Sequence, residues 1–192
     1  EWEEIENPKG RVVLRMEPGL VFGTGEHQTT QLCLAMIEKY VKPGMAVLDL
    51  GCGSGILFAA ALLLGAKRAV GVDLDPNARG VAMENARRNG VDDLRYRVMV
   101  GDVLGASPLT LDLKEDGPYD MVLSNIVADV VIALTRQVPA YLKPGGLWVA
   151  SGIIDERRVD VLDAMEKQGF VLQAEEKKDD WWAMAAMKRE ED

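Results

Sequence analysis

Val47-Leu48-Asp49-Leu50-Gly51-Cys52-Gly53-Ser54-Gly55-Ile56-Leu57 is the stretch on which the reading of this chain turns. Ala46–Leu50 reads as a buried strand, the alternate glycines as a sharp turn, and the apolar run Ile56–Leu64 as a helix ended by Gly65. Glycines spaced this way, where a strand passes into a helix, let a ligand come close to the backbone.

The same strand–helix rhythm extends in both directions. Ala69–Leu74 is a second strand, and Asp75-Pro76 opens a helix, since Asp caps and a first-position Pro loses no needed donor. That helix stops near Asn89-Gly90. Tyr96–Val100 and Tyr119–Ser124 are further strands, while Leu104–Pro118 between them yields no assignment. Upstream, Arg11–Met16 reads as a short strand, Gly23-Thr24-Gly25 as a glycine-rich loop and Thr29–Tyr40 as a helix. Downstream, Val127, Val130, Val131, Leu134, Val138 and Tyr141 mark one helix face, Lys143–Gly146 a turn, Leu147–Ser151 a strand and Asp155–Gln168 a helix. Phe170–Ala174 and Trp181–Met187, joined by the charged Glu175–Asp180, read as an antiparallel pair. Trp181 and Trp182 are then expected on opposite faces, one toward the core and one outward.

This alternation predicts an α/β fold: a doubly wound, Rossmann-like sheet of seven strands, mostly parallel, with the antiparallel pair at the C-terminus. The domain is expected over residues 17–189, after an extension or linker remnant with a short strand at 1–16 and before a charged tail at 190–192. Ligands of such sheets bind beyond the carboxyl ends of the strands, which here means the loops after Leu50, Leu74, Val100 and Ser124.

The acids at those strand ends narrow the ligand. A dinucleotide fingerprint would require glycine at the slot that Ile56 fills. Asp49, at the mouth of the loop, would repel a pyrophosphate and attract a cation such as a sulfonium bearing an ammonium group. Asp73, twenty-two residues after Gly51, can accept both hydroxyls of a ribose. Asp102, at the end of the third strand, can accept from the exocyclic amine of adenine, although a capping role is the alternative. Together they describe S-adenosyl-L-methionine, with Asp49, Gly51, Gly53, Gly55, Asp73 and Asp102 as its contacts.

Composition excludes other classes. The chain has 192 residues, 22 basic against 31 acidic, and a net charge of −9, which argues against a broad nucleic-acid footprint. One histidine and no Cys-x-x-Cys pair leave no metal site to expect. Cys33 and Cys52 form no disulfide framework and point to a reducing cytoplasm, and Cys52 is a small filler of the loop rather than a nucleophile. The longest apolar run, nine residues, falls short of the ~20 that span a bilayer.

Three segments resemble the class I methyltransferases, and more narrowly the ribosomal protein methyltransferases of the PrmA type. They are Pro18-Gly19-Leu20-Val21-Phe22-Gly23-Thr24-Gly25-Glu26-His27-Gln28-Thr29-Thr30, the glycine stretch Leu48–Leu57, and Ser124-Asn125-Ile126-Val127-Ala128. The resemblance implies methylation of large-subunit ribosomal protein eleven on lysine or N-terminal amines, with S-adenosyl-L-homocysteine as product. It implies that Thr30, Gly51, Asp73 and Asn125 contact the cofactor, and that Phe22, Gly23, Thr24, Gly25, Glu26 and His27 lie over the active site. Glu26 stands where threonine is frequent in that family, and Gln28 where proline is common. The family's recognition domain precedes the catalytic one, and residues 1–16 are too few to form it.

Methyl transfer from a sulfonium is an in-line displacement, so positioning dominates, and Asn125 is the residue expected to hold the acceptor amine. Enzymes that methylate adenine or glutamine amides typically carry Asn/Asp-Pro-Pro followed by an aromatic here. Asn125-Ile126-Val127-Ala128 lacks both prolines and aromatic, which favours a flexible protein amine over a base. Methylation of another protein or a small molecule, and cofactor binding without catalysis, remain the alternatives.

Overall fold

In a computed structural model, residues 12–16, 25–105 and 108–189 are described. The elements are α1 (Gln28–Tyr40), β1 (Ala46–Leu50), α2 (Ile56–Leu63), β2 (Arg68–Asp73), α3 (Pro76–Arg88), β3 (Tyr96–Val100), α4 (Pro108–Asp116), β4 (Tyr119–Asn125), α5 (Ala128–Leu134), α6 (Val138–Tyr141), β5 (Leu142–Ile154), α7 (Arg158–Lys167), β6 (Phe170–Lys178) and β7 (Trp181–Lys188). The strands form one sheet in the order β3-β2-β1-β4-β5-β7-β6, parallel except for β7 against β5 and β6. The order reverses between β1 and β4, which makes their carboxyl ends the switch point.

Strand alternation divides the core in two. Val47, Met121, Leu123, Val149, Ala183 and Ala185 face α1, α2 and α3. Leu48, Leu50, Val122, Trp148, Ala150 and Met184 face α4 to α7. All five residues of β1 are buried, as befits a central parallel strand. Trp148 is fully buried, and its indole N–H is satisfied by Ser124 Oγ at 3.0 Å. Asp75 caps α3 by accepting from Asn77 N at 2.9 Å, with Pro76 following it as expected.

Several local readings change. Residues 12–16 form no strand; Arg15 N donates to Asn89 Oδ1 at 2.7 Å, and Leu14 and Met16 pack on the first core. The Arg15 carbonyl likewise accepts from Asn89 Nδ2 at 2.6 Å, so a side chain and not a neighbouring strand takes up this backbone. The unassigned segment contains α4. The single helix expected from Val127 to Tyr141 is two, because Pro139 cannot bond back to Thr135 and its ring crowds that carbonyl. Lys143–Gly146 is no turn between elements but a bulge inside β5, where Tyr119 and Met121 face Leu142 and Leu147. Glu175–Asp180 shortens to a two-residue hairpin turn, Asp179-Asp180. Neither tryptophan points outward: Trp181 packs on the first core and Trp182 on the second, since helices cover both faces of the sheet. Among the described residues no helix is long and apolar enough to cross a membrane.

Candidate functional site

The loop after β1 is a chain of left-handed glycines: Gly51 (φ 76°), Gly53 (φ 48°) and Gly55 (φ 79°). Two of them also have no room for a side chain. A Cβ on Gly51 would come within 2.6 Å of Ile126 Cγ2, and one on Gly55 within 2.7 Å of the Phe58 ring. The Gly51 and Cys52 amides both donate to Val72 O, at 2.8 and 2.9 Å, which ties the loop to β2. The Gly53 amide then donates to Asp73 Oδ2 at 2.8 Å, while Asp75 N donates to Asp73 Oδ1 at 2.9 Å. Both carboxylate oxygens are thus fixed, and each keeps acceptor capacity for a ligand.

Asp49 is wholly buried beneath this loop. Its Oδ2 accepts from Phe58 N, in the first turn of α2, at 3.2 Å, and its Oδ1 has no partner. Burial pushes this carboxyl up to about 7, against the opposing pull of the Phe58 hydrogen bond and with a further push from the Asp73 charge. An orphaned buried acceptor beside a backbone cradle suits a ligand carrying an ammonium group. The shift also has a consequence for the unliganded protein. An unfolded Asp ionises near ~3.9, so between about pH 4 and 7 the folded state keeps a proton that the unfolded chain has lost. Stability from this group therefore falls as pH rises through that window and is lost above the folded value. Urea unfolding of the wild type and Asp49→Asn at pH 5 and pH 8 is expected to show the wild type losing stability relative to the variant at the higher pH. An equal difference at both values would contradict this.

At the other strand ends, Asp102 is exposed and its Oδ1 accepts from Leu104 N at 2.8 Å, a local turn that leaves Oδ2 for a ligand. Leu74, Val100 and Leu104, exposed by 67%, 40% and 38%, make an apolar border along the β2 and β3 ends. Sequence reasoning passed over them; the signal was an apolar residue between two acids, Asp73-Leu74-Asp75.

Asn125 ends β4, beside the glycine loop through the β1–β4 register. Its Nδ2 donates to Thr30 Oγ1 at 3.2 Å, so two residues expected separately in the site form one unit. Thr30 is buried in the first turn of α1. His27 is the N-cap of that helix, accepting at Nδ1 from Thr29 N at 3.3 Å, with its ring edge-on to Trp181. Gly25 and Glu26 precede it directly, and Glu26 is exposed. Gln28, one of the two departures from the family pattern, donates to Asp179 Oδ2 at 3.1 Å. Phe22, Gly23 and Thr24 lie outside the described residues.

Cys52 and Cys33 are buried, and burial pushes both thiols up, Cys33 to about 12, with the Asp49 charge adding to the rise in each. Neither is a nucleophile near neutral pH. Gly152 (φ 87°), at a bulge between Ser151 and Ile153, was not anticipated. It lets the Ile126 backbone approach so closely that a Cβ there would lie 2.3 Å from Ile126 O.

The model of the family described as ribosomal protein L11 methyltransferase (PrmA) matches residues 1–189. A ribosomal protein L11 methyltransferase of Pelotomaculum thermopropionicum is 43% identical over 185 residues, covering 96% of this chain and 57% of that protein. One of Acetivibrio thermocellus is 42% identical over 170 residues, covering 88% and 51%. The chain thus spans little more than half the length of these curated relatives. The crystal structure of a ribosomal protein L11 methylase from Lactobacillus delbrueckii subsp. bulgaricus superimposes with a TM-score of 0.86 at 30% identity, over 98% of this chain and 92% of that one. Extent, identity and fold agree: the chain belongs to the ribosomal protein L11 methyltransferase (PrmA) family.

Proposed function

We propose that this chain transfers methyl groups from S-adenosyl-L-methionine to amines of ribosomal protein L11, on lysine side chains, the N-terminus or both. The hydrogen bond from Gly53 N to Asp73 Oδ2 carries the reading, because it joins the backbone cradle to the acid that would bind a ribose. In this reading Gly51, Gly53 and Gly55 admit the amino-acid part of the cofactor to the backbone, and Asp49 faces its ammonium. Asp73 accepts from the ribose hydroxyls, and Asp102 Oδ2 accepts from the adenine amine, with Leu74 and Val100 bordering the ring.

Bound in this way, the cofactor supplies an electrophilic methyl on a sulfonium. The chain's own work is to bring an uncharged amine to it in line. With Nδ2 engaged by Thr30, the Asn125 amide presents Oδ1 as acceptor, which can hold an amine N–H and aim the lone pair at the methyl. A neighbouring positive charge and the low-dielectric site favour the deprotonated amine, so no strong base is needed. Gly25, Glu26 and His27 border the approach together with the exposed Val127. The acidic surface steers a basic ribosomal protein toward it, and a cytoplasmic setting follows from that substrate.

The test is transfer of labelled methyl from S-adenosyl-L-methionine to purified ribosomal protein L11, with the modified residues located by mass spectrometry. Label on its amines is the expected result. Cofactor binding without label on L11 would overturn the substrate assignment and leave another acceptor, or binding without catalysis, in its place.

A further inference from the structure

The first turn of α1, which carries Thr30, is gripped by the tip of the C-terminal hairpin. Gln28 Nε2 donates to Asp179 Oδ2 at 3.1 Å, Lys178 Nζ donates to Gln31 Oε1, and the His27 ring meets Trp181 edge-on at 5.1 Å between centroids. All three hairpin partners fall within residues 178–181, and their partners His27, Gln28 and Gln31 lie on either side of Thr30 at the start of α1. The contacts span about 150 residues of sequence, so only the folded sheet brings them together.

The hairpin is a firm anchor. On its other face the Trp182 indole N–H donates to Asp155 Oδ1, and its ring lies 4.8 Å from the Arg158 guanidinium carbon and 5.4 Å from Lys177 Nζ. Those cations are themselves paired, Lys177 with Asp155 at 2.6 Å and Arg158 with Glu175 at 2.6 Å. The turn places Asp179 at φ 53°, the one non-glycine residue with positive φ among those described. This left-handed backbone presents the Asp179 carboxylate to Gln28. Opposite the hairpin, Thr30 Oγ1 receives the Asn125 amide at 3.2 Å. A chain of contacts therefore runs from hairpin to helix turn to Asn125.

We propose that Gln28 and Asp179 are positioning residues for methyl transfer: by holding the first turn of α1 on the hairpin, they fix Thr30 and, through it, the orientation in which Asn125 presents its acceptor to the amine. This rests on the function proposed above for Asn125. The glycine loop and Asp73, which carry the larger share of the cofactor contacts, are held by separate hydrogen bonds, so the contact acts on turnover more than on cofactor affinity. Small misplacement of a group that orients a reactant costs rate steeply, and an effect of about tenfold is expected here.

The test compares turnover on ribosomal protein L11, cofactor affinity by calorimetry and thermal midpoint for the wild type, Gln28→Ala, Asp179→Gly, the double variant and Asp179→Asn. Asp179→Gly keeps the positive φ without strain and removes only the acceptor, whereas Asp179→Asn retains an acceptor and tolerates the same backbone. The expected result is about a tenfold lower kcat in each single variant, no further loss in the double, cofactor affinity within about twofold, and near-wild-type turnover in Asp179→Asn. Unchanged kcat in both single variants overturns the proposal, as does a loss shared by turnover, cofactor affinity and thermal midpoint. Absence of methyl transfer by the wild type itself overturns the underlying functional reading, and this inference with it.

Discussion

Asp73→Ala is expected to weaken binding of S-adenosyl-L-methionine by at least about 100-fold, while Cys52→Ala changes it by less than about threefold. Each hydrogen bond from a ribose hydroxyl to an ionised carboxylate contributes about 1.5–3 kcal/mol, so losing two exceeds the ~2.7 kcal/mol that corresponds to 100-fold. Asp73 also anchors the site from within: without it, the Gly53 and Asp75 amides lose their acceptors at 2.8 and 2.9 Å, and the cradle loosens. Asp73→Asn should fall between the two, since an amide can accept with only one of its two atoms. Cys52 lies beside Asp73 in space, yet its thiol is buried and held protonated, and alanine keeps the small apolar filling. Isothermal titration of the three variants decides the matter. Equal tolerance of Asp73→Ala and Cys52→Ala would undo the assignment of the cofactor site.

The largest effect on stability is expected from Gly152→Ala. The left-handed conformation costs an L-residue about 1–2 kcal/mol, and at φ 87° this strain cannot be avoided. The new Cβ would also stand 2.3 Å from Ile126 O and 2.7 Å from Ile126 C. These are backbone atoms, which no rotamer change can move aside, so β5 and the β4–α5 connection must shift apart. Overpacking of this kind typically costs a further ~1–3 kcal/mol, for a total of about 3 kcal/mol. Gly44→Ala is the control, because Gly44 has φ 90° but nothing within 4 Å of an added Cβ. Urea unfolding should show Gly44→Ala losing only the strain and Gly152→Ala losing strain plus collision. Because Asn125 precedes Ile126, the Gly152 variant should also lose methyl transfer beyond what its lower stability explains. Matching losses of stability in the two variants would show that the bulge can relax and that the close approach is not needed.

The glycine loop and its acids could be read without coordinates because each is a local event. A strand, a turn of alternate glycines and an apolar helix follow one another without a break from Ala46 to Leu63, and Asp75-Pro76 caps its helix through an amide two residues away. The periodicity of apolar residues likewise marked the seven strands of the sheet, and the crossover rule set their mostly parallel arrangement. Local pattern failed where contacts with distant residues overruled it. Lys143–Gly146 carries turn residues but bulges within a strand that β4 and β7 hold on either side. Residues 12–16 read as a strand, yet the Arg15 backbone N–H and carbonyl are both taken up by the Asn89 side chain.

What the chain alone determined is therefore the architecture and the gathering of glycines and acids at one edge of it, since the loops after β1, β2, β3 and β4 all open at the carboxyl ends of parallel strands. The tertiary structure alone decided how those parts act on one another. Thr30 meets Asn125 across 95 residues and Gln28 meets Asp179 across 151, and Gly152 admits the Ile126 backbone. The buried setting of Asp49 moves its ionisation toward neutrality. Each of these depends on sheet register and on the exclusion of water, and neither quantity is carried by residues adjacent in the chain.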